Sequence, residues 1–345
     1  MANVRDIRRR IRSVKNTRQI TKAMKMVAAA KLRRAQERAL ASRPYAQMLA
    51  NVLTSTVSRA ELVNPTTGEP WNPLLAVRPE QNILLVLVTG DRGLAGAFNS
   101  NVLKATMKFL EFFKDKNIDI LAIGRKGRDF LRRRYPVGKA GEERKGQVQV
   151  IGEHLNVLAK VEYEPVSEIA ERIVRAYCDQ QIDSVYLIFN EFKSVISQRV
   201  IAQRILPVQE LGRREVALAE EFQVEERERM GEAARTAGIS LRDETPTEFE
   251  KEAAKFATAP VDYIYEQSPA ELFADLLPRY VAFEIFEGML ESVAAENAAR
   301  MTAMDSASNN ANDVIDSLTL TMNRARQAAI TKEIIEIVSG AAALA

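Results

Sequence analysis

The chain has 345 residues, of which 46% are apolar and 28% charged, and its net charge is +3. A single cysteine and a single histidine exclude a disulfide scaffold, a thiolate metal cluster and a histidine-rich zinc site. No stretch approaches the roughly 18 consecutive apolar residues of a membrane span. No apolar run follows the first charges, so we expect no secretory signal.

Charge, glycine and proline are unevenly distributed along the chain. Residues 1–43 carry 14 Lys and Arg but only two acidic residues, a net charge of +12 that leaves −9 for the remainder. Residues 1–64 contain no glycine and one proline, Pro44, and residues 279–345 contain two glycines and no proline. Helix interiors disfavour both residue types. The distribution predicts a long N-terminal helix within 1–64, a globular middle, and a long C-terminal helix within 259–345.

The N-terminal helix carries the apolar spacing of a coiled coil, at Val4, Ile7, Ile11 and Val14. A strict heptad then falls on the polar residues Arg18, Thr21 and Lys25, whereas the nearby apolar residues are Ile20, Met24 and Val27. We interpret this as a phase slip in the seam. The seam resumes at Ala28, Leu32, Ala35, Leu49 and Leu53 and ends near Val57, so the helix is roughly 80 Å long. Pro44 either kinks the helix or breaks it.

The C-terminal helix is predicted from about Glu271 to Ser339, roughly 100 Å. Its apolar residues follow one heptad register, which Asn297 and Arg300 interrupt: Phe283, Phe286, Leu290, Val293, Met304, Ala307, Ala311, Val314, Leu318, Ala325 and Ala328. The first helix enters the middle domain and the last leaves it, so the two must be antiparallel. The longer last helix should project past the first from Ile330 to Ala345. The pair is either an intramolecular spacer or a shaft inserted into a partner.

The middle region, 65–208, reads as alternating strands and helices. Continuous apolar runs at Ile83–Val88, Ile118–Ile123 and Ser184–Phe189 predict buried parallel strands, and Val195–Leu206 is a further extended segment. Helices are predicted near 100–114, 129–134 and 166–178. This alternation indicates a Rossmann-like α/β domain. The predicted fold class is therefore α/β, with a long antiparallel coiled coil of the terminal helices.

A glycine loop follows the first strand, at Gly90, Gly93 and Gly96. Its spacing is neither the dinucleotide G-x-G-x-x-G nor a P-loop, because no Gly-Lys-Ser/Thr follows. A tight strand-to-helix turn that packs against another element fits better than nucleotide binding. No nucleophile and base, carboxylate pair or metal spacing can be assembled, so the sequence predicts no catalytic, cofactor-binding or metal-binding residue.

Residues 209–258 form a charged segment with few aromatic residues. Positions 209–256 hold 13 acidic and 8 basic residues, and helical runs are predicted at Glu215–Arg235 and Thr247–Phe256. The apolar residues Val216, Leu218, Phe222 and Val224 would give a helical hairpin a modest seam. The segment is either a solvated decoration or an insertion docked on a partner or on the basic first helix.

Five motifs carry a family resemblance. Asp6-Ile7-Arg8, the run from Ile20 to Lys31, the central Gly90–Gly96 loop and the C-terminal run from Ala325 to Ala341 resemble the gamma subunits of F-type ATP synthases, as does the run from Ala299 to Met304. The resemblance covers essentially the whole chain except about 209–256. Chloroplast members carry a regulatory disulfide in an insertion at a similar place, but this segment has no cysteine.

The resemblance implies a function that the bare pattern only suggests. It implies the central rotor shaft, which couples proton translocation to ATP synthesis by rotation and is itself non-catalytic. It also implies alpha and beta subunits as partners, in a 3:3 ring around one gamma, together with the epsilon subunit and the ring of c subunits. The complex would lie on the cytoplasmic face of a bacterial inner or plasma membrane, where this chain would be peripheral. The implied partner contacts are Met24, Lys25, Arg326, Gln327, Thr331 and Glu336.

Two rival classes of function remain. An NAD-dependent enzyme would need the dinucleotide glycines and a catalytic residue, and both are missing from the sequence. A basic coiled-coil nucleic-acid-binding or scaffold protein would use the +12 helix against phosphates. Heparin or DNA affinity that survives physiological salt would favour this second class, and we predict no nucleic-acid partner.

Overall fold

Two very long helices dominate the computed structural model, which describes residues 4–57, 70, 72–138, 143–195, 198–208, 215–221, 224–237, 239 and 269–344. Helix α1 spans Val4–Val57 and continues through Pro44, so the proline does not break it. The final helix, called α6 here, spans Pro269–Leu344 and includes Pro278. Both predicted terminal helices are confirmed. Within the described residues, no helix combines the length and the hydropathy that a bilayer crossing requires.

The two helices are antiparallel, as predicted. Side-chain hydrogen bonds join Arg18 to Asn312, Thr21 to Ser308 and Lys25 to Asp305. Residue numbers therefore rise along α1 as the numbers of their partners on α6 fall. Extended to the start of α1, this register places Val4 beside residues close to 326. The last turns of α6 therefore project beyond α1, which confirms the predicted overhang.

In the described residues, the central domain is built on one six-stranded sheet. Its strands are β1 (Asn82–Val88), β2 (Asn117–Ile123), β3 (Val148–His154), β4 (Ser184–Phe192), β5 (Gln198–Leu206) and β6 (Glu215–Glu221), in the order β3-β2-β1-β4-β5-β6. The first four strands are parallel, while β5 and β6 add antiparallel pairs at one side. The α/β class is confirmed. Strand β3, which has only a short apolar stretch, was not predicted.

Helices cover both faces of this sheet. One face packs against α2 (Phe98–Phe112) and the middle of the α1–α6 pair. The other face packs against α4 (Tyr163–Cys178) and the start of α6, while the short helix α3 (Arg125–Arg132) follows β2. Gly288 lets α6 cross β4 closely, because a Cβ there would lie 2.6 Å from the Leu187 side chain.

The prediction of a helix from Glu215 to Arg235 is wrong in its first part. Residues Glu215–Glu221 form strand β6, which pairs with β5, and the helix α5 begins only at Val224 and ends at Thr236. A free edge of β5 offers backbone hydrogen bonds that outweigh a weak helical preference. Val216 and Leu218 thus lie on one face of a strand and are not the seam of a helical hairpin. The helix predicted at Thr247–Phe256 lies outside the described residues.

Helix α5 docks on the shaft. Ala233 and Ala234 are fully buried, and Met230 and Ile239 nearly so, in the core cluster that also contains Leu32 of α1. The interpretation of this segment as a solvated decoration is therefore wrong for its described part, and the docked alternative is correct.

Candidate interaction surface of the shaft

The seam of α1 runs without a phase slip. Its buried and half-buried positions alternate at spacings of three and four from end to end: Ile7, Ile11, Val14, Arg18, Thr21, Lys25, Ala28, Leu32, Ala35, Ala39, Ser42, Ala46, Leu49 and Leu53. The predicted slip near Arg18 is therefore wrong. The strict heptad persists there because polar side chains take the seam positions and bond across to α6.

In the distal part of α6, every second predicted seam position faces α1, and the positions between them differ from the prediction. Met304, Ala311, Leu318 and Ala325 lie on the seam, but the positions between them are Ser308, Ile315 and Met322. Ile315 is 8% exposed, whereas the predicted Val314 is 45% exposed. Spacings of three and four alternate in either register, so the heptad alone did not fix which neighbour faces α1.

A polar section joins the helices in mid-shaft. The Arg18 guanidinium donates to Asn312 at 2.8 Å, and the Thr21 and Ser308 hydroxyls bond at 2.7 Å. The Lys25 ammonium lies 2.6 Å from the Asp305 carboxylate, with side chains only 12% and 16% exposed. These directional bonds fix the register of the two helices, since a slide along the seam would break all of them at once.

Lys25 also ties the α5 helix to the shaft. Its ammonium donates to the Thr236 hydroxyl at 2.6 Å, at the last residue of α5. Arg33 of α1 donates to the Ala237 carbonyl at 3.5 Å. The end of α5 is therefore held by two cations of the basic first helix. Both acceptors are uncharged, so the charge contrast between the two segments did not predict these two bonds.

In the section of α1 whose seam residues are polar, the face turned away from α6 carries apolar side chains. Ile20 and Val27 are 60% and 56% exposed, and Met24 between them is half-buried. They are spaced by four and three residues, so they share one face of the helix. An exposed apolar stripe on so basic a helix is a surface suited to a partner.

A groove runs beside this stripe, between α1, α6 and the end of α5. Its volume is about 730 Å³, and its lining includes the cations Arg18, Lys22, Lys25 and Arg33, with Asp305 as the one carboxylate among the described lining residues. Net positive charge in a groove attracts an acidic surface and raises its rate of encounter. The groove thus adds a charged contact area to the apolar stripe.

The projecting end of α6 exposes its apolar side chains. Ile330, Ile334, Ile335, Ile337 and Val338 are between 49% and 71% exposed. Exposed apolar side chains grouped in this way are unusual on a protein surface, where large apolar patches mark binding sites.

The predicted contact residues fall into two groups. Arg326, Gln327, Thr331 and Glu336 are all exposed on the projecting end of α6, where Thr331 bonds to the Gln327 carbonyl and Glu336 pairs with Lys332. Met24 and Lys25 lie together in mid-shaft. Lys25 already has two partners within the chain, Asp305 and Thr236, and neither was predicted from the sequence.

The glycine loop lies against the shaft. A Cβ on Gly90 would come within 2.8 Å of the Glu296 carboxylate, and the Arg300 guanidinium lies 3.4 Å from the Gly93 carbonyl. The expected tight turn packed against another element is thus what the structure shows. In the part of the chain that the structure describes, no group of three or more His, Cys, Asp and Glu side chains could hold a metal ion.

Comparison with known proteins gives consistent matches. A family model described as ATP synthase matches residues 3–344. The ATP synthase gamma chain of Solibacter usitatus is 47% identical over 99% of both chains, and that of Geobacter sp. strain M21 is 42% identical over 99% of this chain and 98% of its own.

A solved structure has a similar fold. It is a chain in the cryo-EM structure of the Euglena gracilis mitochondrial ATP synthase, OSCP/F1/c-ring, in rotational state 3. The TM-score is 0.53 at 16% identity, over 99% of this chain and 94% of that one. At this identity the likeness concerns the fold.

Proposed function

This chain belongs to the ATP synthase gamma chain family, and from this premise we propose that α1 and α6 are the rotating shaft of the complex. The chain couples proton translocation through the membrane sector to ATP synthesis in the catalytic ring. It is a non-catalytic subunit of an enzyme that transports ions. We propose no nucleic-acid or scaffold role, because the basic helix is used in the shaft.

The observation that carries this proposal is the unequal pair of helices. Helix α6 has 76 residues and α1 has 54, so α6 is roughly 110 Å long and ends as a single exposed helix. Alongside α1 the shaft is a pair of helices of different sequence, and beyond α1 it is a single helix, so it has no threefold symmetry about its axis. Inside a ring of three identical beta subunits it makes a different contact with each of them. Turning the shaft therefore changes which site is favoured, because only differential contact energy can shift a population.

The proposed partners follow the shaft from its tip to the sheet. Three alpha and three beta subunits surround one gamma, while the epsilon subunit and the ring of c subunits meet the α/β domain. Arg326, Gln327, Thr331 and Glu336 contact the ring near the tip, supported by their exposure. Met24 contacts it in mid-shaft. Lys25 remains in the proposed set, since an ammonium has three donors and two are used within the chain.

The location and the segments are proposed likewise. We place the complex on the cytoplasmic face of a bacterial inner or plasma membrane, with this chain peripheral, because both gamma chains compared above come from bacteria. The proposed segments are 1–64, 65–208, 209–258 and 259–345. Segment 209–258 modulates rotation or hydrolysis, and it does so independently of reductant, because Cys178 is the sole cysteine of the chain.

The test is reconstitution of an F-type complex that lacks its own gamma chain, with this chain supplied in purified form. We expect co-assembly with alpha and beta subunits and recovery of ATP-driven proton pumping. The isolated chain should hydrolyse no ATP, since it lacks a P-loop lysine. Failure to assemble, or assembly without any pumping, would contradict the proposal.

The double substitution Arg326→Ala with Gln327→Ala sharpens this test at the tip. Both side chains are exposed, so the fold should not change. Hydrogen bonds to charged groups contribute roughly 1.5–3 kcal/mol, which alters a step rate but is small beside all contacts of the shaft. We expect slower synthesis with normal assembly. Arg324→Ala, also exposed, is the control, and a wild-type rate in the double variant would remove the assigned role.

A further inference from the structure

A crevice opens at the carboxyl edge of the sheet, between the ends of β1 and β4. The strand order β3-β2-β1-β4 makes this the topological switch point of the sheet, because β2 and β3 lie on one side of β1 and β4 lies on the other. In open α/β sheets, ligands bind in the crevice at such a reversal. In this chain α6 occupies it. The Ser292 hydroxyl accepts a hydrogen bond from the backbone N–H of Asn190 at 3.2 Å, and the Glu296 carboxylate lies over Gly90.

The glycine loop forms the wall of the crevice on the β1 side. Gly96, with φ +52°, would place a Cβ 3.7 Å from both the Ala299 carbonyl oxygen and the Ala303 Cβ. The Asn99 side chain accepts from the Gly90 amide at 2.9 Å. In a dinucleotide-binding fold the loop after β1 binds phosphate, whereas here the corresponding loop, Gly90–Gly96, packs against α6.

Polar groups lock the helix into this crevice. Within α6, Glu296 and Arg300 form an ion pair at 2.5 Å, with side chains 11% and 16% exposed, and this pair orients Arg300 toward the glycine loop. Arg300 also reaches the Gly93 carbonyl at 3.4 Å, and Glu291 accepts from the Phe192 amide at 3.4 Å. The end of β4 and the glycine loop therefore both contact one stretch of α6. Apolar faces can slide past one another, whereas a set of directional bonds resists both sliding and turning of the helix about its axis.

We propose that this contact is the rigid joint through which torque passes between the α/β domain and the shaft. Gly90, Glu296 and Arg300 act in it as positioning residues: they hold α6 at a fixed angle to the sheet. This inference rests on the proposed rotor function and names the place where that function depends on the α/β domain. It also assigns the loop Gly90–Gly96 a mechanical role in place of ligand binding.

The first test is Glu296→Gln in the reconstituted complex, with ATP hydrolysis and ATP-driven proton pumping measured on the same preparation. Arg300 is then left as an uncompensated, nearly buried charge, so we expect the ratio of pumping to hydrolysis to fall by about threefold or more. Asp275→Asn is the matched control, because Asp275 and Arg279 form an exposed pair of the same spacing on the same helix. An unchanged ratio in Glu296→Gln, with the wild-type chain pumping normally, would overturn the joint.

A covalent lock tests the joint without weakening it. Gly96→Cys with Ala303→Cys, in a Cys178→Ser background, places two Cβ atoms about 3.7 Å apart, a separation typical of disulfides. If the joint is rigid, the oxidised complex should pump at the rate of the reduced one. A loss of pumping that reductant restores would show that shaft and domain move against each other, and would refute the proposal. If the wild-type chain supports no pumping at all, the rotor function fails instead.

Discussion

The two halves of the shaft are stabilised in different ways. Beside the sheet, seam residues such as Leu32 and Ala28 are 0–1% exposed and belong to the large core shared with the strands. In the distal half, the buried cluster consists of Ile7, Ile11 and Ile315, with each of these still 5–8% exposed. The half beside the sheet is thus stabilised by the core of the α/β domain. The distal half is stabilised by a narrow seam and a few polar bonds. We conclude that the distal half is built to be completed by its partners.

The largest effect expected from this contrast is on stability. Leu32→Ala should lower the free energy of unfolding by about 3 kcal/mol, because it leaves a cavity in a packed core. Ile11→Ala should cost about 1–2 kcal/mol in the isolated chain, since a thin seam beside water can relax around the loss. Urea denaturation followed by circular dichroism measures both. Equal losses would show that the two halves do not differ.

The polar section should give an intermediate effect. Asp305→Ala leaves the Lys25 ammonium without its carboxylate in a mostly buried place, and we expect a loss of about 2 kcal/mol. Glu336→Ala removes the carboxylate of the exposed pair with Lys332 and should cost less than about 0.5 kcal/mol. Thermal unfolding compares the two variants. A loss from Glu336→Ala as large as that from Asp305→Ala would contradict the role given to burial.

The smallest effect on stability should come from the outward stripe. Ile20→Ser with Val27→Ser changes two side chains that are more than half exposed, so unfolding of the isolated chain should shift by less than about 0.5 kcal/mol. Affinity for the alpha–beta ring should fall, because these apolar groups lose their burial against the partner. Sedimentation of the assembled complex reports the affinity. A stable variant that binds with unchanged affinity would remove the stripe from the interface.

The sequence predicted the parts of this fold that depend on long patterns. Both helices follow from the exclusion of glycine and proline, their opposite directions follow from the way each one joins the middle domain, and the overhang of α6 follows from its greater length. The apolar runs of β1, β2 and β4 were recognisable because buried parallel strands need apolar side chains on both faces.

The errors arose where tertiary contacts decide. Thr21 and Lys25 looked like a break in the seam, but partners at Ser308 and Asp305 make them part of it. Residues Glu215–Glu221 became a strand because β5 presented an edge. The docking of α5 depends on buried alanines, whose small side chains give only a weak signal in sequence. Of the contact residues, those at the tip are exposed as expected, whereas the intramolecular partners of Lys25 could not be read from spacing.

Rotation of this chain inside its ring is the central claim, and one measurement tests it directly. Cys178 is the sole cysteine and is exposed at the end of α4, on the domain and away from the tip, so a bead can be attached there without substitution. With the alpha–beta ring fixed to a surface, addition of ATP should make the bead turn in one direction in steps of a third of a turn. A bead that stays fixed while the same complexes hydrolyse ATP would contradict the account.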